Sequence, residues 1–240
     1  MKKATLVLIS AAVAGVACAR DLYSSEDHPV TPVQVSLADP IAVPRSNWNV
    51  YGLRLNLIFG QSFGLKGLDL GFAGRCRDKF VGLAAQSCNW VESDMTGVQL
   101  GAVANVVHGN AYGLQLGGAV NSDHGVFSGL QAALVNFDGT FAGLQLGAVN
   151  WNKSVSAGFQ FGVANADVNE FHGFSIGGLN YAGKLVGVQL GAVNVAAETV
   201  HGVQIGVFNA APSIQGFQVG LINVIGNGAL PIMPVFNGSF

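Results

Sequence analysis

An eight-residue phrase of the form G-x-Q-x-G-x-x-N recurs along this chain every 14, 15 or 16 residues. We number each copy from its first glycine, position 0, so that the glutamine is at +2 and the asparagine at +7. A period this short and regular is typical of stacked arrays, in which each unit buries its apolar face against its neighbours. The twelve copies begin at Gly52, Gly67, Gly82, Gly97, Gly113, Gly129, Gly143, Gly158, Gly173, Gly187, Gly202 and Gly216.

Apolar residues form columns around each phrase. Position −2 is apolar in every copy except the one with Ser156, and positions +1 and +3 hold pairs such as Val188 and Leu190. We expect positions −2, +1, +3 and +6 to face the core, with the inward parity shifting at the first glycine, because glycine bends a strand most easily. Short strands joined by bends predict an all-β repeat solenoid of about twelve turns of 14–16 residues, capped at both ends. An outer-membrane β-barrel is the alternative, since twelve strands and a terminal phenylalanine also suit that fold.

The glutamine column is predicted to lie opposite the core, on the outer face. Stacked amides there would hydrogen-bond from turn to turn, about 4.8 Å apart, as in cross-β assemblies. We interpret the asparagine as a turn former, because it tolerates left-handed backbone. Copies before Gly97 depart from the pattern, with Arg54, Asp69 and Ala84 at +2. The predicted repeat ladder comprises Gln99, Gln115, Gln145, Gln160, Gln189, Gln204, Gln218, Asn150, Asn165, Asn180, Asn194, Asn209 and Asn223.

The chain divides by composition into four segments. Residues 1–19 combine two lysines, an apolar run and a small-x-small site, which predicts a secretory signal peptide cleaved before Arg20. Lipidation of Cys18 is the alternative processing. Residues 20–46 are a proline-rich extended leader that caps the first turn, residues 47–223 are the repeat domain, and residues 224–240 are a second cap. We therefore expect export to the periplasm, the outer membrane or the cell surface.

Charged residues are scarce, at 10% of the chain against a typical quarter. From Gly97 onward they all lie outside the phrases, as do the histidines, so we expect the segments between phrases to be solvated loops. Removing the two lysines of the signal peptide leaves 9 basic and 13 acidic residues, and this balance argues against a nucleic-acid partner.

Cys76 and Cys88 remain after cleavage, and in an exported chain they predict a disulfide. A metal pair is the weaker interpretation. Ser175 stands in a G-x-S-x-G pattern, but it occupies a glutamine position of the repeat and lacks a strand-turn-helix context. We predict no catalytic, metal or cofactor-binding residues, and no enzymatic activity.

The modules G-L-Q-L-G-A-V-N, G-F-Q-F-G-V-A-N, G-V-Q-I-G-V-F-N and G-F-Q-V-G-L-I-N, with the terminal G-N-G-A-L-P-I-M-P-V-F-N, resemble bacterial surface-repeat proteins such as those of leptospires. The resemblance covers residues 50–240. It implies export and surface exposure, with no activity or catalytic residues to carry over. We predict that the protein acts as a structural or binding surface, toward a cell-envelope or extracellular ligand that the sequence does not identify. An outer-membrane, pore-like protein is the alternative function.

Overall fold

The computed structural model describes residues 28–239, and all regular secondary structure in this range is β. The predicted signal peptide, Cys18 and the start of the leader lie outside the described residues. The strands are β1 Val30–Ala38, β2 Ile41–Val43, β3 Asn49–Ser62, β4 Leu65–Cys76, β5 Phe80–Val91, β6 Met95–Val107, β7 Ala111–Gly117, β8 Val120–Ala132, β9 Val135–Leu146, β10 Val149–Asn152, β11 Ser156–Ala196, β12 Thr199–Ala211, β13 Ser213–Ile225 and β14 Ile232–Ser239.

Successive repeats pair in parallel with their first glycines aligned, and the register shifts within the phrase between β3 and β4 and between β5 and β6. Between β12 and β13, for example, Gly202 pairs with Gly216 and Asn209 pairs with Asn223. Each repeat is therefore one turn of a parallel β-solenoid of about 13 turns, which confirms the predicted fold class. The barrel alternative is wrong, because neighbouring strands of an up-and-down barrel run in opposite directions.

The chain forms two compact units, the first ending at Ala133 and the second beginning at Leu134. In the first unit, β1 from the predicted leader pairs in parallel with β3 and adds a further rung, and β2 folds back antiparallel onto β1. In the second unit, β14 turns back and pairs antiparallel with β13. Strands from outside the repeats thus cover the free edges of β3 and β13, as an open stack requires.

The first glycine of the phrase is required by the close approach of successive turns. Gly187 has a φ of +143°, which L-residues rarely adopt. A Cβ at this position would lie 2.1 Å from the carbonyl oxygen of Gly173 in the preceding turn. Glycine therefore recurs at position 0 because no larger residue fits between the turns.

The inward-facing positions of a typical turn are −2, +2, +7 and +9. The predicted parity shift at the first glycine is wrong, because positions −2 and +2 have the same parity and both are buried. The shift lies between +2 and +7, where the chain bends: β9 ends at Leu146 and β10 begins at Val149. We call positions −2 to +3 the first wall, positions +4 and +5 the bend, and positions +6 to +9 the second wall.

Apolar side chains fill one part of the interior. The −2 column is buried, as predicted, and position +9 packs beside it. In the second unit these two columns form a single buried cluster of Phe171, Ala182, Leu185, Ala196, Val200, Ala211, Ile214 and Ile225.

Candidate functional site

The glutamine side chains lie inside the coil, and their predicted place on the outer face is wrong. Gln204 is 0% exposed, whereas its neighbour Ile205 is 41% exposed. Position +2 shares the inward parity of position −2, so the pairs at +1 and +3 face outward. Amides tolerate this burial because each can exchange hydrogen bonds with the amide of the next turn.

These buried amides form ladders along the coil. In the second unit, Gln218 Nε2 donates to Gln204 Oε1 at 2.8 Å, and Gln204 Nε2 donates to Gln189 Oε1 at 2.9 Å. Gln160 Nε2 donates to Gln145 Oε1 at 3.4 Å. The first unit has the same arrangement, with bonds of 3.0 Å along Gln131, Gln115 and Gln99.

Two of the ladders are interrupted where the repeat departs from its pattern. Gln99 Nε2 is buried without a hydrogen-bond partner, because Ala84 occupies the corresponding position of the preceding turn. Gln160 Oε1 also lacks a partner, since Ser175 occupies position +2 of the next turn. Ala84 and Ser175 therefore each interrupt a ladder and leave an unsatisfied polar atom on the neighbouring glutamine.

The asparagines that close the phrase form a second buried ladder; they stand at +7, or at +8 in the two 16-residue repeats that contain Asn105 and Asn121. Asn150 Nδ2 donates to Asn165 Oδ1 at 2.7 Å and to the Phe161 carbonyl oxygen at 3.0 Å. The asparagine therefore joins neighbouring turns, a role that goes beyond turn formation. In the second unit the ladder runs through Asn136, Asn150, Asn165, Asn180, Asn194, Asn209 and Asn223, and in the first unit through Asn89, Asn105 and Asn121.

Hydrogen bonds also cross the interior from one wall to the other. Gln145 Nε2 on the first wall donates to Asp138 Oδ2 at 2.6 Å, and Asn152 Nδ2 on the second wall donates to Gln145 Oε1 at 3.2 Å. Gln160 Nε2 donates to Asp167 Oδ1 at 3.1 Å. The two walls therefore face one another across a polar core, and their outer faces point in opposite directions.

Three acidic residues that we expected on solvated loops are buried. Asp138 and Asp167 occupy position +9, Asp123 occupies the equivalent position +10 of a 16-residue repeat, and all three are at most 1% exposed. Burial raises the pKa of Asp167 to about 7, although hydrogen bonds from Asn152 and Gln160 favour its charged form. The loop prediction fails for these residues because each carboxylate accepts hydrogen bonds from amides of the core.

A buried ion pair replaces the glutamine ladder in the first turns. Arg54 and Asp69 stand at position +2 of consecutive turns, and Arg54 Nε donates to Asp69 Oδ1 at 2.8 Å. Arg54 Nη1 also donates to Ser62 Oγ at 2.8 Å, and Asn56 Nδ2 donates to Asp69 Oδ1 at 2.9 Å. Opposite charges at the same position of neighbouring repeats are the sequence signal for this pair.

The predicted disulfide does not form, and Cys76 and Cys88 are free thiols. Cys76 pairs in register with Val91, and Cys88 pairs with Ala73, so the two cysteines are three positions out of register. Cys76 also points into the core, whereas Cys88 is exposed. Burial raises the pKa of Cys76 to about 12, which keeps it a neutral thiol at neutral pH.

Ser175 has no nucleophile geometry in the structure. Its side chain is 1% exposed, and its Oγ donates to Asn180 Oδ1 at 2.8 Å inside the coil. His172 lies at the edge of the same turn, with Nε2 3.0 Å from Glu170 Oε1. Ser175 thus takes part in the amide core, in place of a glutamine.

The outer surface of the second unit is apolar on both walls and at the bend, a feature that sequence analysis missed by placing these side chains inside. Phe159 and Phe174 stack on the first wall with ring centroids 5.4 Å apart. At least a third of the side chain is exposed in Leu146, Val149, Trp151, Phe159, Phe161, Val163, Phe174, Ile176, Leu179, Tyr181, Ile205, Val207, Leu221 and Ile222.

Charged side chains on the outside of this unit are confined to the segments that connect position +9 to the next position −2. These segments carry Lys153, Glu170, Lys184 and Glu198, which we call the charged edge. Lys184 Nζ lies 3.1 Å from Glu170 Oε1. The charged edge lies at the opposite end of the walls from the bend.

Residues 28–239 include no cluster of three or more histidine, cysteine or acidic side chains placed to hold a metal ion. Within the same residues, no helix is long and apolar enough to cross a membrane. Comparison of the chain with protein families, with curated proteins and with solved structures finds no match.

Proposed function

We propose that this chain is an exported surface-repeat protein that acts as a structural or binding surface and has no enzymatic role. The observation that carries the proposal is the division of the side chains of each turn between the inside and the outside of the coil. The polar side chains of the phrase bond to one another inside the coil, and the variable side chains at +1, +3, +5, +6 and +8 face outward.

This division suits a scaffold. Gln204 and Asn209 are fully buried and engaged in ladder bonds, so they are not presented to a ligand. The walls offer broad outward faces held at strand spacing, and solenoids commonly use such extended surfaces for binding. The resemblance of the modules to bacterial surface-repeat proteins supports the same role.

Export is tested by expressing the full chain with its own N-terminal segment in a Gram-negative host. Intact-mass measurement should find a mature N-terminus at Arg20, and protease added to intact cells should degrade the protein. Replacing Ala17 and Ala19 with leucine is the matched control, because it removes the small side chains that signal peptidase requires and should leave the precursor uncleaved. A chain that keeps Met1 and stays in the cytoplasm would contradict the proposal, and a diacylglyceryl mass on Cys18 would show the alternative processing.

A further inference from the structure

We propose that the second unit binds lipid bilayers by inserting its bend and both walls into the hydrocarbon of one leaflet, with its charged edge left in the headgroup layer. This inference rests on the proposed function and names the partner of the binding surface. It starts from the distribution of apolar and charged side chains around a single turn.

The apolar surface covers three sides of each turn. Phe159 is 49% exposed on the first wall, Val163 is 67% exposed at the bend, and Trp151 is 42% exposed on the second wall. The ionisable residues of the second unit, tyrosine aside, are Asp138, Lys153, Asp167, Glu170, His172, Lys184, Glu198 and His201. Asp138 and Asp167 are buried in the core, and the lysines and glutamates all lie between position +9 and the next position −2. His172 and His201 lie at position −1, at the margin of the first wall next to the charged edge, so no lysine or acidic side chain interrupts the outer walls or the bend.

The two walls face away from each other, and this favours lipid over a protein partner. The wall-to-wall bonds of Gln145 with Asp138 and Asn152 fix the two outer faces in opposite directions. A protein interface is a bounded patch with a polar rim, so one partner surface would cover one wall and leave the other in water. Fluid hydrocarbon covers both walls and the bend at once.

The dimensions of the wall suit one leaflet. From the bend to the charged edge the first wall is about five residues wide, or roughly 16 Å at strand rise. One leaflet contributes about half of the ~30 Å hydrocarbon core of a bilayer. Trp151 and Tyr181, at position +8, lie between the apolar faces and the charged edge, where amphipathic rings would meet the headgroups.

The backbone at the bend is also prepared for a medium without water. The amides of Val163 and Ala164 both donate to the Ala148 carbonyl oxygen of the preceding turn at 2.9 Å. A backbone donor left without a partner would oppose insertion strongly. In this turn the amide at +5 and the amide that follows it are therefore already paired within the coil.

Flotation of the purified mature chain with phosphatidylcholine vesicles tests the proposal. We expect the chain to float with the vesicles at both 0.1 and 1 M NaCl, because apolar burial is insensitive to salt screening. In a chain with Trp48 and Trp90 changed to phenylalanine, brominated lipid should quench the emission of Trp151.

Charge-introducing variants on the bend give the sharper result. Val163→Asp and Leu221→Asp should each lower vesicle binding at least about tenfold, because a carboxylate is costly in hydrocarbon. Both side chains face outward, so the far-UV circular dichroism should be unchanged, and two variants guard against a folding defect in one. Glu198→Gln on the charged edge is the matched control and should bind like the parent.

The proposal is overturned if the parent chain does not float, or if the two aspartate variants float as well as the parent. It is also overturned if the chain is a stable dimer in sedimentation equilibrium that Val163→Asp dissociates, because a second copy would then occupy the apolar surface. Vesicle binding without signal-peptide cleavage in cells would refute export alone, and export without vesicle binding would refute the lipid partner alone.

Discussion

Replacing Gln204 with alanine should destabilise the coil more than placing a charge on the neighbouring outward position. Gln204 Nε2 donates to Gln189 Oε1, and Gln204 Oε1 accepts from Gln218 Nε2, both inside the core. Loss of the two bonds costs about 1 kcal/mol each, and an orphaned buried acceptor adds about 1–3 kcal/mol. We therefore expect Gln204→Ala to lower the free energy of unfolding by about 3–5 kcal/mol, before any cavity term.

Two comparisons isolate the ladder in this experiment. Ile205→Asp faces outward and should cost about 1 kcal/mol. Gln215→Ala makes the same chemical change at an exposed site, where Gln215 bonds only His201, and should cost at most about 0.5 kcal/mol. Urea denaturation followed by circular dichroism measures all three. A larger loss for Ile205→Asp than for Gln204→Ala would refute the assignment of amides to the core.

Three further predictions address the backbone, the buried acids and the thiols. Gly187→Ala should lower the free energy of unfolding, measured by urea denaturation, by about 3 kcal/mol or more, because the new Cβ would lie 2.1 Å from a carbonyl oxygen. Gly226→Ala is the control: the nearest atom to its Cβ would be 3.5 Å away, and the loss should be under about 1 kcal/mol. Because burial raises the folded-state pKa of Asp167 from 3.8 to about 7, its folded state holds the proton more tightly, and the free energy of unfolding should fall as the pH rises from about 4 to 7. Asp167→Asn should remove that slope over the same pH range. Maleimide followed by peptide mapping should label Cys88 in the native state and Cys76 only after unfolding, and a disulfide-linked peptide would contradict the structure.

The spacing of the glycines predicted a solenoid, with a barrel left as the alternative that the structure excludes. A period of 14–16 residues leaves room for one short coil per repeat, and the close contact between Gly173 and Gly187 shows why position 0 cannot vary. Because each repeat makes this glycine contact with the next one, the requirement for glycine recurs once per repeat and appears in the sequence as a period.

The faces of the strands were not predictable from hydropathy. A pattern such as Val188, Gln189, Leu190 indicates an aliphatic interior, yet Gln189 is 1% exposed and its neighbours face outward. The amide is stable inside only because a matching amide lies in the next turn, and that pairing is not a property of one strand. The informative signal was the recurrence of glutamine at +2, which an outer face would not require.

Isolated residues were misassigned for the same reason. Asp167 looks like a loop residue until its hydrogen bonds from Asn152 and Gln160 are known. Arg54 and Asp69 look like lapses of the repeat until their register shows them to be partners. In each case the contact that explains the residue joins two turns or the two walls, so it cannot be predicted from one segment of the sequence taken alone.

Packing of the interior does not explain the apolar character of the outer positions. The interior is completed by positions −2, +2, +7 and +9, so core packing places no demand on +1 or +3. Along the second unit, however, +1 and +3 hold only aliphatic residues and phenylalanine in every phrase, from Leu144 and Leu146 to Phe217 and Val219. A wall exposed to water alone would be expected to carry polar side chains at such unconstrained positions. Their uniform apolar character is the property that the proposed insertion of the walls into hydrocarbon would explain.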